Sequence, residues 1–198
     1  MPTDIILLSG GLESTTLLYE TRAQGESRAL FIDYGQSAAL RERRAALAAC
    51  VRTDTPFTVI NLKRLAIDLA GQAVIRPHVP LPARNLLAVS VAANWALQTK
   101  ARRVLLGLQR DDRKHPEGRL DFIRPLTECL ASLELILEVP YRELAKADVV
   151  ARGLALGVDY GLTYSCLLGH RTHCGQCPQC QARERALAGP HPLSGYKK

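Results

Sequence analysis

A short apolar run at residues 4–8 ends abruptly on Ser9-Gly10-Gly11, and a helical pattern over 13–22 follows at once. An apolar run of this length bounded by glycine reads as a buried strand. A strand that stops at a double glycine and leaves on a helix restricts the chain to few architectures. The same order recurs. Strand patterns fall at 28–32, 57–62, 103–108 and 135–139, and helical ones at 37–51, 63–70, 84–99, 120–132 and 146–156. Residues 71–82 and 109–118 carry no periodicity and read as loops. Strands alternating with helices predict an α/β fold with a five-stranded parallel sheet and right-handed crossovers. Ligands of such sheets collect beyond the carboxyl ends of the strands, where the strand order reverses. The loops after the first, second and fourth strands are therefore expected to carry the chemistry.

The 198 residues fit one domain, residues 1–198, with a distinct tail at about 160–185 that is too short for a core of its own. Apolar residues make up 47% and aromatics only 5%, so the core is expected to be aliphatic. No stretch approaches the roughly 20 apolar residues of a membrane span. Met1-Pro2-Thr3-Asp4 lacks a basic segment followed by an apolar one, and a cytoplasmic address is expected. The net charge of +7 comes from clusters such as Arg41–Arg44, Arg102–Arg103 and Arg110–Lys114, read as solvated faces or as contacts for nucleotide phosphates.

Two glycines in succession let the backbone approach an anion closely and take positive φ where needed. The helix that follows offers unpaired N–H groups and its positive dipole end to the same anion. Hydroxyls of Ser9, Ser14 and Thr15 can add hydrogen bonds to phosphate oxygens. The segment is neither a Walker loop nor a dinucleotide fingerprint.

Six cysteines divide unevenly. Cys50 and Cys129 sit alone in helical patterns and are expected to be buried, inert thiols. Cys166, Cys174, Cys177 and Cys180 crowd into fifteen residues as Cys-x₇-Cys-x₂-Cys-x₂-Cys. In a reducing compartment that spacing reads as metal ligation. Four thiolates suit a closed, tetrahedral, structural Zn²⁺, with Gly175 and Pro178 as turn residues. An iron–sulfur cluster is the rival, and His170 or His173 could replace one ligand.

Ser9-Gly10-Gly11-Leu12-Glu13-Ser14 resembles the Ser-Gly-Gly-x-Asp-Ser loop of the PP-loop ATP pyrophosphatases, which have a Rossmann-like, adenine nucleotide hydrolase-like fold. Phe31-Ile32-Asp33-Tyr34-Gly35-Gln36, Pro82-Ala83-Arg84-Asn85, Thr163-Tyr164-Ser165-Cys166 and Cys174-Gly175-Gln176-Cys177 resemble, in the same order, segments of the 7-cyano-7-deazaguanine synthase family. That resemblance implies an ATP-dependent C–N ligase. It would adenylate the carboxylate of 7-carboxy-7-deazaguanine, release pyrophosphate, and use ammonia to form an amide and then the nitrile. It further implies a homodimer with ATP, Mg²⁺ and Zn²⁺ as cofactors. Carried over by position, Ser9, Glu13, Ser14 and Arg84 would be catalytic. ATP would be held by Leu8, Ser9, Gly10, Gly11, Leu12, Glu13, Ser14, Thr15, Thr16, Leu17 and Leu18, with Tyr34, Gln36, Asn85 and Gly107. Cys166, Cys174, Cys177 and Cys180 would bind zinc. Glu13 stands where the family has Asp, so its carboxylate reaches one methylene further toward Mg²⁺. A valine at Gly10 is expected to abolish turnover and leave the fold intact.

Two departures qualify the resemblance. The segment before Arg84 is shorter than the family's. The family's deazapurine-contacting loop is replaced by residues 109–119, where only Pro116, Glu117 and Arg119, after Gly107, resemble it. The activation chemistry is expected to be kept and the acceptor end rebuilt. Two other readings stand beside this one, the first drawn from these departures and the second from the basic surface. One is a ligase, like synthase-like proteins of phage-defence systems, that passes the activated deazapurine to a protein amine. The other is a tRNA-modifying enzyme.

Overall fold

Consecutive residues of the central strand β1 (Asp4–Leu7) alternate between the two faces of a sheet, and both faces are covered. Ile5 and Leu7 enter one apolar cluster, Ile6 and Leu8 another. All four β1 residues are buried, as a strand between two helical layers requires. The computed structural model describes residues 3–64 and 81–188. Within them the order after β1 is α1 (Leu12–Gln24), β2 (Ser27–Asp33), α2 (Ala39–Thr53), β3 (Phe57–Asn61), α3 (Arg84–Thr99), β4 (Arg103–Leu106), α4 (Leu120–Ala131), β5 (Ile136–Glu138), α5 (Lys146–Ala155) and α6 (Pro178–Leu187).

The five strands form one parallel sheet in the order β3-β2-β1-β4-β5. The chain builds outward from β1 through β2 to β3, then crosses back and builds the other way. The reversal falls between β2 and β4, at the carboxyl end of β1. One layer sets α3 (Val89, Ala92, Ala93, Ala96) and α4 (Leu126, Leu130) against the sheet. The opposite layer uses Leu17 and Leu18 of α1, Ala46, Ala49 and Cys50 of α2, and Val149 of α5. The small residues of α2 and α3 bring both helices close to the sheet.

Arg103, read from sequence as part of a solvated cluster, instead ties β4 to both of its neighbours, β1 and β5. Its Nε donates to Asp4 Oδ1 (2.7 Å), its Nη2 pairs with Asp4 Oδ2, and its Nη1 donates to Glu138 Oε1 (3.1 Å). Asp4 is buried, and this fork supplies the counter-charge that a buried carboxylate needs. Of the lone cysteines, Cys50 is buried as expected, and burial pushes its thiol up to about 12. Cys129 is exposed, because it falls on the outer side of α4, where Ile123, Leu126 and Leu130 face inward. Most of the expected helix at 63–70 and loop at 71–82 lies outside the described residues. No helix among the described residues is long and apolar enough to cross a membrane.

Candidate active site and metal centre

The cleft at the strand-order reversal encloses about 250 Å³. Ser9, Gly11, Glu13 and Ser14 enter it after β1, Tyr34 and Gln36 after β2, and Gly107 and Asp112 after β4. The three loops expected from topology therefore meet. Arg84 and Asn85 join from the start of α3, and Leu8 from the end of β1.

The turn after β1 is held by its own hydroxyls. Ser9 N–H donates to Ser14 Oγ (3.2 Å), the Ser9 and Ser14 hydroxyls lie 3.0 Å apart, and Gly11 N–H donates to Ser9 Oγ (3.4 Å). Gly11 is the N-cap of α1 and no side chain caps that helix, so its first-turn N–H groups are available to an anion in the cleft. Gly107 has a different task from ligand contact alone. A Cβ there would stand 3.3 Å from the Ser14 nitrogen, so glycine lets the end of β4 pass against the first turn of α1.

Not every residue of the 8–18 segment faces the cleft. Leu12, Leu17 and Leu18 are buried in the apolar clusters. Thr16 donates its hydroxyl to Leu12 O (2.9 Å) and lies 2.6 Å from the Tyr160 hydroxyl. Thr15 is buried, and its Oγ1 has no hydrogen bond among the described residues. These five fix α1 to the sheet and to α5. One helical face points inward to packing, so only the first turn of α1 is left for ligand.

Gly10 is likewise a packing residue. Its φ of +77° lies in the left-handed region, and a Cβ would stand 2.5 Å from Glu42 O and 2.8 Å from Ala46 N. Its carbonyl accepts from Tyr164 N–H (2.9 Å). A valine at Gly10 thus meets backbone that cannot move aside, which corrects the expectation of an intact fold.

Charge in the cleft is arranged in pairs. Glu13 Oε1 is ion-paired with Lys146 Nζ, both largely buried. Burial pushes the Asp112 carboxyl up from its ordinary range, although Asp112 Oδ2 accepts from Gln109 N–H (2.8 Å). Burial also raises the Tyr34 hydroxyl, opposed by the neighbouring Arg84 guanidinium. Gln36 stitches the corner: its Oε1 accepts from Tyr34 N–H (3.1 Å), and its Nε2 donates to Glu42 Oε2 (2.9 Å).

The segment at 109–118 is more ordered than a polar loop. It folds into two 3₁₀ turns, Arg110–Lys114 and Pro116–Gly118, locked where Gly118 abuts the Asp112 carbonyl. α3 begins after Ala83 with no cap of its own. Glu117 supplies the cap, its Oε1 accepting from Asn85 N–H (3.0 Å), and so fixes the helix start that carries Arg84.

Sequence reasoning missed Glu42, Lys146, Tyr164 and Ser165 as cleft residues. Lys146 left a signal. A lysine at the first position of a helix opposes the dipole, which marks it as recruited by something else. Tyr164 and Ser165 stood inside a quoted motif but were read only as neighbours of a metal ligand.

The four tail cysteines come together. Their sulfurs all lie within 4.8 Å of one another, and Cys174 Sγ is 3.8 Å from Cys180 Sγ. Zinc–sulfur bonds of about 2.3 Å place tetrahedral sulfurs roughly 3.8 Å apart, so the donor set fits that ion. Cys177 N–H donates to Cys174 Sγ (3.3 Å) and Cys180 N–H to Cys177 Sγ (3.4 Å). Backbone N–H groups of Cys177 and Gln176 lower the Cys174 thiol to about 6. His173 is occupied otherwise: its Nε2 accepts from Ser165 N–H (3.1 Å), and burial lowers its pKa to about 4. The knuckle is also part of the cleft wall, since Tyr164, Ser165 and Leu167 line the cleft and Cys166 packs with Ala45 of α2 and with Ala38 just before that helix.

A parallel sheet of this order, with a Ser-Gly-Gly turn and an uncapped helix start at its reversal, defines the PP-loop nucleotide-binding class. NMN synthetase from Francisella tularensis shares the fold (TM-score 0.61, 14% identity, 94% of this chain and 76% of that one). The family model described as "Queuosine biosynthesis protein QueC" matches residues 3–190, and the chain belongs to that family. The 7-cyano-7-deazaguanine synthase of Caldicellulosiruptor bescii is 33% identical over 203 residues, covering 92% of this chain and 91% of its own. 7-Cyano-7-deazaguanine synthase 1 of Sulfurisphaera tokodaii is 30% identical over 184 residues, covering 92% and 91%.

Replacing Gly10 by alanine should lower stability by more than about 2 kcal/mol, because the left-handed conformation alone costs an L-residue roughly 1–2 kcal/mol and the new Cβ also meets the backbone of α2. Urea denaturation measures this, and an unchanged midpoint would contradict the packing assigned to Gly10.

Proposed function

We propose that the chain is an ATP-dependent synthase that adenylates the carboxylate of 7-carboxy-7-deazaguanine and aminates it toward 7-cyano-7-deazaguanine. The observation that carries this reading is the meeting, in one cleft, of an uncapped helix start with Ser9 and Ser14, the cations Arg84 and Lys146, and an apolar wall. The N–H groups at the start of α1 and the Ser9 and Ser14 hydroxyls hold phosphate oxygens. Leu30, Ile32, Leu87, Ala88 and Leu106 offer the adenine an apolar surface beside them. Arg84 and Lys146 neutralise charge on phosphate and carboxylate.

In the first step a carboxylate oxygen attacks the α phosphorus, and the bond to the bridging oxygen breaks as pyrophosphate leaves. Ammonia then attacks the acyl carbon, the bond to AMP breaks, and the nitrogen loses a proton to give the amide. A second ATP activates the amide oxygen in the same way, with loss of pyrophosphate; the nitrogen then gives up its two protons and the bond to AMP breaks, leaving the nitrile. Glu13 and Asp112 each keep a carboxylate oxygen with no hydrogen bond among the described residues, and they are the residues that fit Mg²⁺. Bound there, the ion would neutralise departing pyrophosphate. No cysteine lines the cleft among the described residues, and nothing at the site favours a sulfur-transferring reading.

Enzyme incubated with ATP, ammonium and the carboxylic acid should produce the amide and then the nitrile, followed by mass, with nitrile formation the slower stage. Ser9→Ala should abolish both. No consumption of the acid contradicts the proposal. A mass adduct on a co-encoded protein in place of the amide would point to the protein-amine ligase.

The knuckle should hold one zinc per chain, and Cys177→Ser should give metal-free, readily unfolded protein, because metal binding and folding are coupled in such sites. Metal analysis decides it; iron with visible absorption would contradict zinc.

A further inference from the structure

Glu42 is a cleft residue that the activation chemistry leaves unused. It comes from α2 and lines the pocket with Tyr34, Gln36 and Arg84. One carboxylate oxygen, Oε2, accepts from Gln36 Nε2 (2.9 Å). The other accepts no hydrogen bond among the described residues. Its neighbours are Arg84 from α3 and, at the end of β2, Asp33, which is itself paired with Lys63 (3.2 Å). Burial outweighs Gln36 and Arg84 and raises the Glu42 carboxyl above its ordinary range, as befits a group short of donors. Gln36 is in turn fixed by Tyr34 N–H (3.1 Å), so the carboxylate is held in place rather than free to turn toward water.

An immobilised, half-satisfied carboxylate wants a ligand edge with adjacent donors. The amino-pyrimidinone edge of a guanine-type ring offers two, the ring N–H and the exocyclic amino group. Adenine presents one donor beside a ring nitrogen acceptor, which a carboxylate repels. The same corner holds an aromatic ring, Tyr34, for a planar heterocycle, with the Arg84 guanidinium beside it. We propose that Glu42, positioned by Gln36 and flanked by Tyr34 and Arg84, reads the amino-pyrimidinone edge of the deazaguanine acid. The reading of the ring thus sits in the β2–α2 corner, not in the 109–119 segment. This inference rests on the acid activation proposed above.

The test compares Glu42→Gln with the unaltered enzyme, using the acid and its analogue lacking the exocyclic amino group. In Glu42→Gln the amide can still accept from Gln36, but it then turns a donor toward the substrate's donors. KM for the acid should rise at least about tenfold, the scale of one lost hydrogen bond to a charged group, with KM for ATP unchanged. The unaltered enzyme should suffer a comparable penalty with the analogue, and that penalty should vanish in Glu42→Gln, because the two changes remove one interaction. The variant's melting temperature should hold or rise, since the fold already favours the neutral carboxyl. A rise confined to KM for ATP would overturn the inference and assign Glu42 to adenine. Unchanged KM values, or penalties that simply add, would overturn it too. An unaltered enzyme that leaves the acid untouched would bring down the functional reading itself, and this inference with it.

Discussion

The contact on which the site depends is backbone against backbone at Gly10. Its left-handed φ and missing Cβ let the turn after β1 lie on the Glu42–Ala46 stretch of α2, while its carbonyl takes the Tyr164 N–H. One residue thereby joins the sheet, the helix that carries Glu42, and the tail that carries the four cysteines. A side chain there would push these apart, and the Ser9–Ser14 hydroxyl pair would lose its frame. The metal centre matters to the cleft for the same reason. Cys166 follows Tyr164 and Ser165 directly, Gly169 packs on the Ser37 carbonyl, and buried Arg183 of α6 donates to Thr163 Oγ1 (2.6 Å). Whatever holds the cysteines also holds that stretch of cleft wall.

Charge of both signs lines the cleft. Glu13, Glu42 and Asp112 oppose Arg84 and Lys146, so the lining is not simply basic. Lys146, largely withdrawn from water, is matched by the Glu13 carboxylate, so its charge has a partner inside the cleft. The same balance leaves each carboxylate with unfilled acceptor capacity, which suits a metal ion at Glu13 and Asp112 and a donor edge at Glu42.

Local patterns made the architecture legible. The helix expected at 84–99 ends where α3 does, because its apolar period and flanking turns agree. The strand expected at 135–139 contracts to Ile136–Glu138, since β5 is the sheet edge and only its inner side is paired. The cysteines were readable from spacing alone. Contacts between distant segments were not. Nothing near Glu117 announces that it caps the helix start at Asn85, 32 residues earlier, and nothing near Arg103 announces Asp4. Glu42 sits in a run of arginines that looks like a solvated face, and only the approach of Gly10 and Arg84 turns it inward. Within the 8–18 segment, the resemblance marked every residue as ligand-binding, whereas helix geometry gives half of them to the core.

Adenylation of the acid has a direct signature. If the carboxylate oxygen attacks the α phosphorus, acid labelled with ¹⁸O in its carboxylate must pass one labelled oxygen to AMP. Mass analysis of the nucleotide after one turnover should find AMP carrying a single ¹⁸O and unlabelled pyrophosphate. Label in inorganic phosphate alongside ADP, or AMP without label, would contradict activation by adenylation in this cleft.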